Sequence, residues 1–213
     1  MNDNLLRFKN HQKYIFFDFE TCGLNLGSLQ NKPWQLAFMV IEDSTIKSRH
    51  NYWLKWDDIK VSAGAARVTG WTAKKYKELA VDPLKPLNHF EKYLYDPSYL
   101  KVGHNILGFD IYIHGIYRRL LGKLPDYSYV NELIDTLSLA KAIKNNLDFD
   151  GCENLLSWQY KINDFFNRKV KTNLRQLCKD YNLDFDPSKL HDALYDIEKN
   201  YEVFKKMIWE IEI

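Results

Sequence analysis

Cysteine is scarce in this 213-residue chain: only Cys22, Cys152 and Cys178 are present, and no two form a C-x-x-C pair. An odd, sparse set fits a reduced cytosolic protein better than a disulfide framework or a zinc site. Long apolar runs are missing, so no segment reads as a membrane-spanning helix. Residues 1–13 are too polar and charged for a secretory signal. A cytoplasmic protein is the expectation. There is also no excess of one charge, with 30 basic against 28 acidic residues and a net charge of +2. That balance is too mild to draw in a polyanion over the whole surface, so any such attraction must come from a local patch. Internal repeats, low-complexity segments and linkers are absent as well, which leaves a single domain as the simplest organisation at this length.

What is abundant is apolar and aromatic. Hydrophobic residues make up 46% of the chain and aromatic residues 15%, enough to bury a substantial core and to leave rings for stacking. Residues 14–20 are β-branched and aromatic, and read as a strand that ends in acids. Residues 34–42 and 45–56 read as two more strands joined by a turn at Asp43 and Ser44. Short helices are expected over 62–68 and 72–80, broken at Gly70. Apolar spacing predicts a helix over 83–95. A strand over 99–103, a helix over 106–121 stopped by Gly122, and a last strand over 132–134 follow. Asp135 is placed to cap a helix running through Ile143. Helices over 153–166, 173–181 and from about 192 to 212 complete the chain. The order predicts an α/β fold, a mixed sheet of about five strands flanked by helices. Residues 145–172 are the least assignable and read as an insertion within that domain.

Strand side chains alternate, so Tyr14, Phe16, Asp18 and Glu20 share one face and Ile15, Phe17 and Phe19 the other. Asp18 and Glu20 therefore lie side by side among apolar neighbours. Like charges that close repel, and desolvation adds to the cost. A hard divalent cation with oxygen ligands removes both penalties. Two acids ending a strand commonly just face water, but here a tight glycine turn, Thr21-Cys22-Gly23-Leu24, follows directly.

Asp110 follows a strand end at Gly103-His104-Asn105 and shares a helical stripe with Ile106, Ile113 and Tyr117. Taken alone, it reads as an acid favoured at a helix start. His191 stands five residues before Asp196, about 140° away on an ideal helix. Both can reach one site only if His191 precedes the helix, with Asp192 near its N-cap. A histidine so placed can act as a base without being a metal ligand.

The combination is more telling than its parts. Asp18-Phe19-Glu20, then Asn105-Ile106-Leu107-Gly108-Phe109-Asp110, then His191 to Asp196 resemble, in order, the three motifs of the DnaQ-like 3′→5′ exonucleases. These enzymes belong to the RNase H-like superfamily, and the pattern is that of their branch with four acids and a histidine. Residues 66–72, Ala-Arg-Val-Thr-Gly-Trp-Thr, and 135–140, Asp-Thr-Leu-Ser-Leu-Ala, are similar to two weaker family segments. Locally, Glu20 to Leu24 resembles the start of exonuclease X, and Trp34-Gln35-Leu36-Ala37 a segment of exonuclease I. Many relatives have threonine at Cys22 and glutamate at Gln35.

The resemblance implies an RNase H-like fold and phosphodiester hydrolysis with two divalent ions, Mg²⁺ with Mn²⁺ as a substitute. Asp18, Glu20, Asp110 and Asp196 would be the metal ligands and His191 the general base. The 3′ end would lie over the turn from Thr21 through Cys22 to Leu24, with backbone N–H groups of that turn holding the terminal sugar and Leu24 wedging against the last base. Asn105 would steady the strand, and Arg168, Lys169, Lys171 and Arg175 would meet upstream phosphates. The implied partner is the 3′ end of single-stranded DNA. RNA remains the alternative, since the same catalytic groups would serve and only discrimination at the 2′-OH would differ. A non-catalytic module that binds nucleic acid or a polymerase is the reading from another class.

Overall fold

A computed structural model describes residues 5–151 and 154–213, which leaves Cys152 and the expected helix start at 153 outside the described residues. Six strands form one sheet: β1 Lys13–Thr21, β2 Pro33–Glu42, β3 Thr45–Leu54, β4 Ala80–Val81, β5 Tyr99–Gly103 and β6 Leu133–Asp135. Their order across the sheet is β4-β3-β2-β1-β5-β6. The first three strands form an antiparallel meander. β5 runs parallel to β1, β6 to β5, and β4 to β3. The β2–β3 turn has Asp43 and Ser44 both left-handed, at φ 50° and 57°, the backbone twist a two-residue hairpin needs.

The sixth strand is β4. Residue 80 was expected to close a helix, but Ala80 is extended, at φ −70° and ψ 129°. Pro83 disfavours helix at Asp82, and the chain instead adds two residues beside β3. The helices are α1 Ala63–Thr69, α2 Ala73–Leu79, α3 Leu84–Leu94, α4 Asp110–Leu120, α5 Thr136–Asn145, α6 Leu155–Asp164, α7 Leu174–Asp180 and α8 Ala193–Met207. α4 starts four residues later than its apolar spacing predicts. Asn105, at φ 65°, turns the chain first.

The period-two pattern of β1 separates two apolar layers. Tyr14 and Phe16 meet Phe204 of α8, each with ring centroids 5.5 Å apart. On the other side Phe17 and Phe19 meet Phe90 of α3 at 5.1 and 5.9 Å. The sheet edge at β6 is covered by α6. Gln159, fully buried there, takes the N–H of Asp135 at 2.7 Å and donates to the Leu133 carbonyl at 3.0 Å. That pair of bonds satisfies the backbone groups an edge strand would otherwise leave open.

Candidate active site

β1 and β5 are paired only as far as Phe16 and Val102. Beyond that point β1 continues to Thr21, while β5 ends at Gly103 and turns away. A Cβ at Gly103 would stand 2.1 Å from Ile106 Cγ2 and 3.0 Å from the Phe17 carbonyl, so only glycine permits this close turn. The divergence opens a crevice at the carboxyl ends of parallel strands, where α/β sheets place their ligand sites.

Asp18 and Glu20 project into the crevice from the far half of β1. Asp110, only 2% exposed, enters from the first residue of α4 and accepts the Phe19 N–H at 3.0 Å. That bond satisfies a strand donor β5 no longer reaches. The turn carrying Asp110 is itself clamped by Asp135, which accepts the N–H of Asn105 at 2.8 Å and of Leu107 at 3.1 Å, while capping α5 through Leu137 at 2.9 Å.

The fourth acid comes from α8. Asp192 is the N-cap, accepting the Tyr195 N–H, so His191 precedes the helix as its spacing requires. It is left-handed, at φ 70°, and its N–H donates to Asp196 Oδ2 at 3.1 Å. The bend turns the imidazole towards the acids: one ligand atom each from Glu20, His191 and Asp196 lie within 4.8 Å of one another. Asp18, Glu20, Asp110, His191, Asp196 and Asn105 all line one cavity of about 300 Å³.

Crowded, poorly solvated carboxylates resist ionisation. Burial, then the Asp192 charge, pushes Asp18 up to about 7. Asp196 rises to about 8 through burial and then Asp18, against the opposing His191 N–H. Glu20 and Asp110 are held well above the carboxylate range, again by burial first and the Asp18 charge second. His191 is exposed as a residue, but partial enclosure of its ring lowers its pKa and favours neutral imidazole. Asp196 Oδ1 is buried without a hydrogen-bond partner among the described residues. An all-oxygen acidic set with an orphaned ligand atom fits a hard divalent cation.

A second cavity, of about 570 Å³, adjoins the first through Phe19, Glu20, Phe109 and His191. Thr21 and Leu24 line it opposite α1, and Leu24 is 85% exposed. Cys22 does not. Its side chain packs with Trp34 and Tyr76, and its N–H is bonded to the Lys32 carbonyl at 3.1 Å. The Gly23 N–H is also engaged, by Asn31 Oδ1 at 2.8 Å. The expectation of free backbone donors at residues 22–23 is therefore corrected: this turn is held from below, and Leu24 is its outward-facing element. Arg168, Lys169, Lys171 and Arg175 are exposed and lack carboxylate partners among the described residues. They lie outside the acidic cavity, but the adjacent Asn173 and Leu174 form part of its wall.

Sequence reading missed His104, Asn173 and Asn200, which line the same cavity. Thr136 Oγ1 lies 3.0 Å from His104 Nδ1 and donates to Asn200 Oδ1 at 2.7 Å. Burial lowers His104 to about 4, so it is neutral. Asn200 had a usable signal, standing one helical turn after Asp196 on the same face.

Residues 15–204 match the sequence model of the exonuclease family. No curated protein sequence matches the chain. Among solved structures, the chain is similar to Escherichia coli exonuclease I bound to zinc and single-stranded DNA, with a TM-score of 0.72 and 18% identity. That match covers 92% of this chain and 40% of that one. The apo form of exonuclease I gives a TM-score of 0.70 at 17% identity, covering 93% and 44%. A complex with a dT13 oligonucleotide gives 0.73 at 18%, covering 93% and 41%. The chain thus spans about two fifths of the length of these proteins, and the likeness concerns fold. With its family motifs gathered in one crevice of a mixed sheet, this chain belongs to the DnaQ-like exonuclease family, on the RNase H-like fold.

Proposed function

We propose that this nuclease is a divalent-metal-dependent 3′→5′ exonuclease acting on single-stranded DNA. The observation that carries the reading is the convergence of Asp18, Glu20, Asp110 and Asp196, with the His191 ring beside Glu20 and Asp196. Those four carboxylates would hold the metal, with Mg²⁺ the expected ion. Bound there, it would lower the cost of making hydroxide at neutral pH and neutralise charge on the phosphate. His191, neutral and accessible, takes the proton from the attacking water. Its backbone bond to Asp196 holds it beside the acids without using a ring nitrogen.

The adjoining apolar cavity is suited to the terminal nucleoside. Val68 and Phe109 offer apolar walls and Leu24 an exposed wedge. A wedge favours an unpaired end, because a paired base must first be unstacked. The exposed cations at 168–175 suit the upstream phosphates, with Phe166, 78% exposed and under the Arg168 guanidinium at 5.9 Å, as a stacking face. Solved exonuclease I complexes with single-stranded oligonucleotides on a similar fold support the choice of DNA.

The test is digestion of 5′-labelled DNA and RNA oligonucleotides of matched sequence with Mg²⁺. A descending ladder on DNA, slower on blunt duplex and abolished by chelation, is expected. A ladder on RNA alone would reassign the substrate, and cutting of a closed circle would refute an obligate exonuclease.

A further inference from the structure

We propose that the protein has a second ligand pocket, separate from the acidic crevice, that takes a nucleoside monophosphate. A cavity of about 510 Å³ lies between β2 and β3, the α1–α2 corner and the start of α8, a volume that accommodates one such molecule. Segment 188–192 contributes to both walls: Leu190 and Asp192 line this cavity, whereas His191 lines the acidic one.

The cations lining this cavity, Arg67, Lys75 and Lys189, outnumber its carboxylates, Asp192 and Glu198. Both carboxylates have partners, although Asp192, held by neutral donors, keeps its charge. Glu198 pairs with Arg49 at 2.6 Å. Asp192 caps Tyr195 at 3.2 Å and accepts from Gln35 Nε2 at 3.3 Å. Arg67 and Lys75 line the cavity, are exposed, and have no carboxylate partner among the described residues. An anionic group is the complement of that rim.

The floor asks for something different. Gln35 is fully buried. Its Nε2 donates to Asn51 Oδ1 at 3.0 Å and to Asp192, while its Oε1 is buried with no donor among the described residues. A buried acceptor left unpaired carries a desolvation cost that a ligand N–H removes. Trp53 and Tyr195 add partly buried ring surfaces to the same cavity. An anion at the rim, an N–H donor at the floor and a flat apolar body between them together describe a nucleobase joined to a phosphate. Every common base carries an N–H or NH₂ donor, so the site is expected to require a base without choosing strongly among them.

Binding of dAMP to the full chain in EDTA, read by calorimetry and tryptophan fluorescence, tests this. In EDTA the acidic crevice holds no metal to bind a phosphate, and no turnover is needed, so failure of the exonuclease reading leaves the result interpretable. Saturable binding below about 1 mM is expected. Arg67→Ala with Lys75→Ala should weaken it at least about tenfold, as should Gln35→Leu, and deoxyribose 5-phosphate should bind at least about tenfold more weakly than dAMP. Asp18→Asn, which relieves repulsion in the acidic crevice, should leave the affinity unchanged. Absence of binding, equal binding of inorganic phosphate, indifference to the exposed Arg67/Lys75 pair, or tighter binding in Asp18→Asn would each overturn the proposal.

Discussion

The backbone N–H of Phe19 donates to Oδ1 of Asp110 at 3.0 Å, joining β1 to the first residue of α4 where β1 has outrun β5. One carboxylate thus closes an open strand position and adds charge to the crevice. The two roles separate by substitution. Asp110→Asn keeps an acceptor for Phe19 and removes the charge, so in EDTA it should melt higher than the native protein. About 1 kcal/mol of relieved repulsion corresponds to roughly 2–4 °C at this size. Activity should fall by about two orders of magnitude, the scale of losing one preorganised charge. Asp110→Ala loses the acceptor as well and should melt lower than Asp110→Asn. Equal melting of the two variants would separate this carboxylate from the Phe19 bond.

The raised carboxylates fix the sign of a pH effect on stability. Asp18 titrates at about 7 and Asp196 at about 8 in the folded chain, against about 4 when unfolded. Between those limits the folded state binds more protons, so stability falls as pH rises. In chelator, the melting temperature should therefore rise as pH is lowered from 8 towards 5. Millimolar Mg²⁺ binds the ionised acids and should oppose that trend, stabilising most at the alkaline end by mass action. Melting curves at several pH values, with and without Mg²⁺, check both slopes. A chelated protein that is most stable at pH 8 would contradict the assigned repulsion.

Much of this arrangement was legible in the sequence because it follows short periodicities. Alternation along β1 put Asp18 and Glu20 on the face opposite Phe17 and Phe19, and the five-residue gap from His191 to Asp196 demanded a bend between them. Less could be read where position depends on distant partners. The start of α4 is shifted by Asn105, whose left-handed turn is held by Asp135, thirty residues on. Cys22 lies in a motif that looks ligand-facing, yet Lys32 and Trp34 draw it inward. Strand β4 arises because β3 has a free edge beside it, which no local pattern in residues 72–81 records.

Gly103 offers a test of the crevice's geometry independent of chemistry. Its Cβ would stand 2.1 Å from Ile106 Cγ2 and 3.0 Å from the Phe17 carbonyl. Both neighbours are buried, and a backbone oxygen cannot rotate aside. Gly103→Ala should cost about 1–3 kcal/mol through overpacking, read as a lower denaturant midpoint at unchanged m-value. A variant as stable as the native chain would show that β5 leaves β1 less closely than drawn.

His191 should separate from the acids kinetically. It meets Asp196 through its backbone N–H, so His191→Ala retains that bond and all four carboxylates. Mg²⁺ should still raise the melting temperature of this variant. Its rate should drop by roughly two to four orders of magnitude, the usual worth of a general base. In the native enzyme the rate should fall in acid as the ring protonates, below the ordinary histidine pKa because enclosure lowers it. Single-turnover rates from pH 5 to 8 would show this, and turnover of His191→Ala at the native rate would remove the base assignment.

The exposed cations beside the crevice should govern how binding responds to salt. Arg168, Lys169 and Lys171 lie in an exposed stretch ahead of α7, and the residues that follow, Asn173 and Leu174, line the acidic cavity. A strand leaving the crevice on that side would meet them with its phosphates and release counterions. For single strands, log affinity falls with log salt by about 0.7 for each phosphate neutralised, so replacing all three with alanine should flatten the slope by about 2. The loss of affinity should be similar across sequences, because phosphate contacts carry no base information. Measured with Ca²⁺ in place of Mg²⁺ to hold the strand uncut, an unchanged slope would place the path on another face. A slope flattened for DNA and RNA alike would show that these cations follow the backbone and leave sugar discrimination to the cavity beside Leu24.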